Sequence, residues 1–277
     1  MKSLKKIKRL PLIIGSFDSL HLGHKKLFNK AGNKFNILLI WTGLTKGKYL
    51  NNLTERIKNL DSTNYENLFV FDITKNNFCA KKFIEEYLIM INPSKIIVGS
   101  DFKFGKGLDG NINLLKQYFK VVTIKYNPQY QTNKIKQLYE LGKINKANIL
   151  LNHDITFIGK SIQGKQEGRK LGFPTINIVL DRKNKIILLN GIYAGECIIN
   201  NRSYKSAICI YKNNNNKQLI EIHCLNTKIK NNFYGKNIIF KLNKFINKFI
   251  YVNNTKQLKN IIQYNIELVN KYFDTKF

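Results

Sequence analysis

Two residues with metal-binding oxygens, Thr175 and Asn177, stand two apart behind Pro174 in the stretch LGFPTINI. In an extended strand alternate side chains share a face, so the hydroxyl and the amide lie on one side and Ile176 and Ile178 on the other. Pro174 restricts the backbone ahead of the pair. Neutral oxygen ligands in small number suit Mg²⁺, which completes its coordination with water and nucleotide phosphates. The pair therefore predicts a site for Mg²⁺ and ATP.

A basic turn with two glycines precedes this strand. Gly164 and Gly168 bracket the segment GKQEG. The backbone N–H groups of such a flexible turn can lie over phosphate oxygens. We therefore expect the turn, and Gly164 in particular, to bind the same nucleotide.

A second polar strand, LIEIHCLN, places Glu221 and His223 on one face and Ile220 and Ile222 on the other. A carboxylate beside a bound alcohol can accept its proton while a γ-phosphoryl group is transferred. A glutamate on a strand is also typical of a solvent-exposed face. The pattern alone leaves both interpretations open.

A third group of residues follows the first apolar run, in GSFDSLHLGHKKL. His21 and His24 lie three apart, so both imidazoles would flank the first turn of a helix, where free N–H groups and the helix dipole favour an anion. Gly15 and Gly23 would let a ligand approach the backbone closely. This grouping favours a triphosphate site over two solvated histidines.

The elements that must position these residues change character near residue 150. Up to that point apolar strands alternate with amphipathic helices, which predicts a parallel, Rossmann-like α/β sheet covered on both faces. Short apolar runs across Gly- or Asn-containing turns then predict an antiparallel barrel or sandwich, followed by a terminal helix. We therefore predict two domains, 1–150 and 151–277.

Composition limits the classes of protein that fit. The 277 residues carry a formal charge of +30, but the lysines are spread along the chain and favour solvated faces over a nucleic-acid-binding patch. The basic N-terminal stretch is followed only by LPLII, which is too short for a membrane helix or signal peptide, so we expect a cytoplasmic protein. The four cysteines lack zinc spacing and predict buried, reduced thiols.

At this point the first half resembles a known family. GSFDSLHLGH is similar to the nucleotidyltransferase motif of bacterial bifunctional riboflavin kinase/FMN adenylyltransferases, and VGSDFKFG to the segment of that family that faces the flavin. The resemblance implies transfer of AMP from ATP to FMN, with release of pyrophosphate. It implies ATP binding by Gly15, Phe17, Asp18, His21, Gly23 and His24, catalytic roles for the two histidines, and flavin binding by Asp101, Phe102 and Phe104.

The second half resembles the riboflavin kinase part of the same family. GRKLGFPTINI, GIYAGECII, IEIHCLN and NFYGKNIIF follow in the family's order. The resemblance implies that Thr175 and Asn177 bind Mg²⁺ and ATP and that Glu221 is the base for the ribityl 5′-hydroxyl. It further implies nucleotide contacts by Lys170, Gly172 and Pro174 and a flavin contact by Tyr193.

Some positions depart from the family pattern. Ser19 replaces a glycine of the first motif, and IWTGLTKGK stands where a Thr-Phe-x-Pro-His-Pro loop is expected. QTNKIK replaces Ser-Ser-Thr-x-Ile-Arg, so that Thr132 and Lys136 are the predicted ATP ligands there, with lysine keeping the charge but not the fork of arginine. Asn247 stands where an arginine is expected.

The leading prediction is an enzyme that phosphorylates riboflavin to FMN in its C-terminal barrel and adenylylates FMN to FAD in its N-terminal domain. Its substrates and products are small molecules, namely ATP, riboflavin, FMN and FAD, and no nucleic-acid or membrane partner is expected. The nearest alternative is a riboflavin kinase with a degenerate N-terminal half. The sequence also leaves open a nucleotidyltransferase that acts on a different phosphorylated substrate and a basic nucleic-acid-binding protein.

Overall fold

A five-stranded parallel sheet is built from the first half of the chain. The computed structural model describes residues 8–43, 48–125, 127–164, 166–180, 185–213, 215–227, 233–252 and 254–275. The strands are β1 (Leu12–Gly15), β2 (Phe35–Trp41), β3 (Tyr65–Asp72), β4 (Ile96–Gly99) and β5 (Val121–Ile124), in the order β3-β2-β1-β4-β5. The predicted parallel sheet is confirmed.

Helices cover both faces of this sheet. They are α1 (Leu22–Ala31), α2 (Leu53–Leu60), α3 (Ala80–Phe83), a π-helical turn (Ile84–Leu88), α4 (Ile89–Ile91) and α5 (Ile112–Tyr118). Leu12 and Ile14 belong to one buried apolar cluster, whereas Ile13 belongs to another. Because successive side chains of a strand point to opposite faces, β1 is buried on both sides, as a central parallel strand should be.

The strand order reverses between β1 and β4, which are adjacent although two strands separate them in the sequence. In open parallel sheets, ligands bind in the crevice outside the carboxyl ends of the strands at such a reversal. The segments that leave β1 at Gly15 and β4 at Gly99 both start there. The two first-half motifs therefore follow the strands that flank this crevice.

Two helices come between the sheet and the barrel strands, α6 (Thr132–Glu140) and α7 (Ile144–Leu151). Gly142 lies between them and adopts a left-handed φ of 68°, which separates the two helices. Asn148 Nδ2 donates to the carbonyl of Leu242 at 2.9 Å, which bonds α7 to the barrel. Packing divides the chain into Met1–Thr132 and Asn133–Phe277, so the division lies at the start of α6. The boundary near residue 150 stays a prediction.

The second unit contains a closed antiparallel barrel, which settles the choice between barrel and sandwich. Its strands are β6 (Thr156–Ile162), β7 (Ile176–Leu180), β8 (Gly191–Ile199), β9 (Arg202–Lys212), β10 (Gln218–Cys224) and β11 (Asn237–Lys248), in the closed order β10-β7-β6-β11-β8-β9. Phe157, Ile178, Ile208 and Phe240 are completely buried among its core residues. A short helix, α8 (Glu167–Lys170), lies between β6 and β7.

The terminal helix α9 (Thr255–Asp274) packs against strands β8, β9 and β11. Asn254 caps it by accepting the backbone N–H groups of residues 256 and 257. Its buried residues are Asn265, Val269 and Phe273, whereas Leu258, Ile261 and Ile262 towards its N-terminal end are only partly buried. Of the helices that the structure describes, none is long and apolar enough to cross a membrane.

The cysteines are free thiols, but one sequence prediction about them is wrong. Cys197 and Cys224 are buried in the barrel and Cys209 is partly buried, whereas Cys79 is exposed. Cys79 is the residue before α3, where it begins the helix and does not belong to its buried face.

Candidate active sites

The barrel brings the predicted kinase residues together through the pairing of β7 with β10. Asn177 lies directly opposite Glu221, while Ile178 pairs with Ile220. Directly opposed residues of an antiparallel pair project on the same face. Because both isoleucines are completely buried, the amide and the carboxylate must lie on the other face of the same two strands.

Two hydroxyl groups bond to the carboxylate of Glu221. Thr175 Oγ1 donates to Oε2 at 3.4 Å, and the Tyr211 hydroxyl donates to Oε1 at 2.7 Å. The first contact joins the two predicted functional groups. The second was not foreseen in the sequence, where Tyr211 is an ordinary residue of an apolar strand. The only signal for it is the alternation of β9, which puts Tyr211 on the same face as Cys209.

A cavity of about 280 Å³ lies beside this cluster. Its lining includes Gly164, Arg169, Pro174, Thr175, Asn177 and Tyr234. A Cβ on Gly164 would lie 2.4 Å from the Asn177 amide group, so a residue larger than glycine would displace that side chain. Arg169 adds a cation to the cavity that sequence reasoning missed. In the sequence, the only indication of this role is the position of Arg169 in the basic turn.

His223 supports the start of strand β7 from the opposite strand. Its Nδ1 lies 2.9 Å from the carbonyl oxygen of Pro174, and since a carbonyl only accepts, Nδ1 carries the proton. The Phe173 ring packs edge-on to the imidazole, with ring centroids 6.0 Å apart. These contacts fix the backbone immediately before Thr175.

Other predicted residues of this half lie further from the cluster. Lys170 is exposed at the end of α8, and Gly172 follows with a φ of 93°, which turns the chain towards Pro174. Tyr193 is completely buried, and its hydroxyl donates to the Leu189 carbonyl at 2.5 Å. Its ring is packed inside the barrel, and the flavin contact of Tyr193 stays a prediction.

Asn247, at the position where an arginine was expected, belongs to a different contact. Its Nδ2 donates to Oδ1 of Asn265 at 3.1 Å, which joins β11 to the buried face of α9. Asn265 is only 6% exposed. The residue therefore stabilises the packing of the terminal helix on the barrel.

In the first unit, the two histidines stack on each other where α1 begins. Their ring centroids lie 3.9 Å apart, at 23° between planes. The Nδ1 atoms of both rings are buried, and neither has a hydrogen-bond partner among the described residues. A Cβ on Gly23 would lie 2.9 Å from the His21 ring, so glycine is needed for this arrangement.

The electrostatics of the histidine pair follow from burial. Desolvation lowers the pKa of His21 to about 4. Desolvation also lowers the pKa of His24 well below its usual value, and the neighbouring His21 lowers it further. Both imidazoles are therefore neutral at pH 7, and they can offer N–H groups to an anion but no positive charge.

The segment between β1 and α1 is supported by a buried ion pair. Asp18 Oδ1 lies 2.9 Å from Arg56 Nη2 and accepts the backbone N–H groups of Leu50 and Asn51 at 3.0 Å each. The Asp18 carboxylate is thus bonded within the protein, and its contact with the nucleotide stays a prediction. Arg56 was missed because it lies in an ordinary amphipathic helix. The preceding Phe17 is buried at a φ of 45°, an uncommon conformation for a side chain of this size.

Ser19, which replaces a glycine of the family motif, forms a side-chain hydrogen bond in the structure. The Ser19 hydroxyl donates to Thr132 Oγ1 at 3.2 Å. This bond connects the first motif with the start of α6, so the predicted ligand Thr132 lies beside the motif. Lys136 is partly buried one turn further along α6. Residues 44–47 of the divergent loop lie outside the described residues.

The predicted flavin segment after β4 is divided between surface and core. Asp101 is exposed, and Phe102 is partly buried. Phe104 is 6% exposed and stacks on Phe102 with centroids 5.6 Å apart. Its other neighbour is Phe83, at 5.7 Å. Phe104 therefore belongs to the core of the first unit, and Asp101 and Phe102 are the residues that remain accessible.

The fold and the two sites define a class: a protein with an α/β nucleotidyltransferase-type unit and a kinase-type barrel. A riboflavin kinase family model matches residues 151–273, and an FAD synthetase family model matches residues 39–137. The chain is 34% identical to the bifunctional riboflavin kinase/FMN adenylyltransferase of Buchnera aphidicola subsp. Schizaphis graminum, over 98% of this chain and 97% of that protein.

Two further similarities agree with this class. The trifunctional protein RibF/MnmA of Mycoplasmoides gallisepticum is 34% identical, over 95% of this chain but only 40% of that longer protein. A crystal structure titled macrolide-efflux protein, from Streptococcus pneumoniae, has the same fold, with a TM-score of 0.81 and 20% identity, over 95% of this chain and 94% of that one. The chain belongs to the family of bifunctional riboflavin kinase/FMN adenylyltransferases.

Proposed function

We propose that this chain converts riboflavin to FAD in two ATP-dependent reactions. The barrel unit transfers the γ-phosphoryl group of ATP to riboflavin, and the first unit transfers AMP from a second ATP to FMN. The observation that carries the proposal is the bond from Thr175 to Glu221, with Asn177 directly across from that carboxylate. The match of both family models supports two activities over the kinase-only alternative.

In the kinase reaction, Glu221 acts as the general base. One carboxylate oxygen takes the proton of the ribityl 5′-hydroxyl while the hydroxyl oxygen bonds to the γ-phosphorus. The bond from that phosphorus to the bridging oxygen breaks, and ADP leaves with the electron pair. The carboxylate sits on a rigid strand, so its contribution is largely one of position.

The residues around the cavity fit a Mg²⁺–ATP complex. Thr175 and Asn177 provide neutral oxygens on the cavity wall, and the carboxylate of Glu221 lies 3.4 Å from the Thr175 hydroxyl. Oxygen ligands of this kind suit Mg²⁺. When bound, the ion would neutralise charge on the β- and γ-phosphates. Arg169, which also lines the cavity, would add a charge-assisted bond to a phosphate oxygen.

In the adenylyl transfer, His21 and His24 bind the ATP phosphates as neutral N–H donors. The support for this role is that their Nδ1 atoms are buried without a partner among the described residues. An unpaired buried polar atom costs about 1–3 kcal/mol, so a phosphate that bonds to it gains that energy on binding. Donors aimed at the leaving pyrophosphate stabilise the charge that develops there. Thr132 would add a further phosphate contact, and the role of Lys136 stays a prediction.

The test is an assay of both products. Purified protein is incubated with riboflavin, ATP and Mg²⁺, and FMN and FAD are separated by chromatography. Glu221→Gln should abolish FMN formation while FAD is still made from supplied FMN, and His24→Ala should do the reverse. Glu267→Gln, at an exposed glutamate of α9, is the matched control and should change neither rate. Loss of both reactions in either site variant would contradict the two-site proposal.

A further inference from the structure

Tyr211 lies next to the proposed base although no motif of the sequence includes it. It pairs with Leu219 across β9 and β10, so Glu221 is its diagonal neighbour on the outward face. Its hydroxyl donates to Oε1 of Glu221 at 2.7 Å, whereas the Thr175 hydroxyl bonds to Oε2 at the longer distance of 3.4 Å. The two oxygens of the carboxylate are therefore not equivalent.

We propose that Tyr211 is a positioning residue for riboflavin phosphorylation, and that its hydroxyl holds the Glu221 carboxylate with Oε2 towards the substrate. The inference rests on the proposed role of Glu221 as the base. Tyr211 itself touches no reacting atom in this scheme. Its effect is to select which oxygen receives the 5′-hydroxyl proton.

The Tyr211 hydroxyl is held in place by the packing of its ring. It stacks on Phe249, with centroids 4.9 Å apart and planes 9° from parallel. Phe249 in turn meets the Tyr251 ring edge-on at 4.6 Å. The Tyr251 hydroxyl donates to the Lys212 carbonyl and does not reach the carboxylate by any described bond. A donor fixed by its surroundings restricts its acceptor more than a mobile one does.

The Tyr211 hydroxyl stays protonated over the working pH range. Burial of the ring, together with the nearby Glu221 carboxylate, raises the pKa of Tyr211 above its usual value. The group is thus a hydrogen-bond donor whenever the carboxylate is ionised. It cannot take the proton of the substrate in place of Glu221.

Two effects of the bond on the rate oppose each other. A hydrogen bond to a carboxylate makes it a weaker base, which would slow the reaction slightly. Loss of the bond lets the carboxylate rotate, and a displacement of about 1 Å from the productive position can cost on the order of 100-fold in rate. We therefore expect orientation to dominate, and removal of the hydroxyl to slow the reaction.

The test is Tyr211→Phe, which keeps the ring and its stacking on Phe249 and removes only the hydroxyl. We expect kcat for riboflavin phosphorylation to fall about tenfold, with KM for riboflavin and for ATP changed by less than about twofold. Riboflavin affinity, measured by quenching of flavin fluorescence, and FAD formation from supplied FMN should be unchanged. Tyr251→Phe removes a hydroxyl from the adjoining ring and should leave kcat unchanged.

The possible results separate this inference from the proposed function. An unaltered kcat in Tyr211→Phe, while Glu221→Gln is inactive, would overturn the positioning role and leave the base assignment intact. If riboflavin affinity falls in step with kcat in Tyr211→Phe, Tyr211 is a substrate-binding residue. If kcat falls equally in Tyr251→Phe, the Tyr211 hydroxyl contributes only to packing. Either result contradicts the inference. Full kinase activity in Glu221→Gln would refute the proposed function itself.

Discussion

The ion pair between Asp18 and Arg56 allows a quantitative test of how the first site is supported. The exposed fractions of the two side chains are 9% and 3%, so the pair is almost completely buried. Asp18→Asn keeps an oxygen that can accept the N–H groups of Leu50 and Asn51, removes the negative charge and replaces the second carboxylate oxygen with an NH2 group. The guanidinium is then left buried opposite a neutral group.

The magnitude follows from this burial. Desolvation lowers the pKa of Arg56, and the charge of Asp18 opposes that effect. Removing one partner of a buried pair typically costs about 3–5 kcal/mol. Because the amide retains the backbone bonds, we expect the lower end, a loss of about 3 kcal/mol in the free energy of unfolding of the first unit.

The assay is urea unfolding followed by tryptophan fluorescence. The chain contains one tryptophan, Trp41, in strand β2 of the first unit, and its ring lies 4.8 Å from Cζ of Arg56. Its emission therefore reports on this unit and on this contact. FMN formation by the barrel unit should be unchanged in Asp18→Asn, since the substitution lies in the other unit.

An exposed pair of the same unit is the matched control. Lys8 Nζ lies 2.6 Å from Glu66 Oε1, with exposed fractions of 63% and 31%, and Glu66→Gln should change the free energy of unfolding far less, because solvent screens an exposed pair. The double variant Asp18→Asn, Arg56→Met should recover part of the loss, because the buried guanidinium no longer faces a neutral group. An Asp18→Asn variant no less stable than Glu66→Gln would refute the reasoning.

Three further predictions concern the two sites. The pKa of His21 is lowered to about 4 from a usual 6.5, so between these pH values the unfolded chain binds more protons than the folded chain. The urea midpoint of the first unit should therefore fall as the pH falls through this range, and it should fall less in His21→Gln. Gly164→Ala places a Cβ 2.4 Å from the Asn177 amide and should lower kcat/KM of the kinase for ATP about tenfold or more, while FAD formation from FMN is retained. Ser19→Ala removes the bond to Thr132, worth about 0.5–1.5 kcal/mol, so adenylyl transfer should slow by about two- to tenfold; an unchanged rate would show that the bond has no role in it.

Local patterns predict much of this protein because its core strands obey them closely. The alternation Ile176, Asn177, Ile178 places one polar residue between two apolar ones, and the structure buries Ile178 completely while Asn177 faces out. The same holds for Ile220, Glu221 and Ile222. The alternation does not indicate which strand is the partner, because the pairing of β7 with β10 joins residues more than forty positions apart.

The features that escaped prediction depend on such distant contacts. Arg56 bonds to Asp18 across 38 positions only because α2 meets the segment after β1 in the folded unit, and by itself it is one charged residue in an amphipathic helix. Tyr211 is ten positions from Glu221, yet the bond between them requires the β9–β10 register. A buried tyrosine such as Tyr193 matches a family motif equally well whether its ring packs inside the barrel or meets a ligand.

The two sites are stabilised in different ways, and this explains why one is easier to read from the sequence. Asn177 and Glu221 lie on the reverse of strands whose other faces form the barrel core, so a register shift of one residue would bury Glu221 and expose isoleucines. The core itself therefore maintains the kinase geometry. The histidine site lies instead on a turn that contains the unfavourable φ of Phe17, and such backbone strain persists only when surrounding contacts impose it. The bonds of Asp18 to Arg56 and to two backbone amides supply those contacts, and they come from helix α2 and its preceding loop, outside the motif.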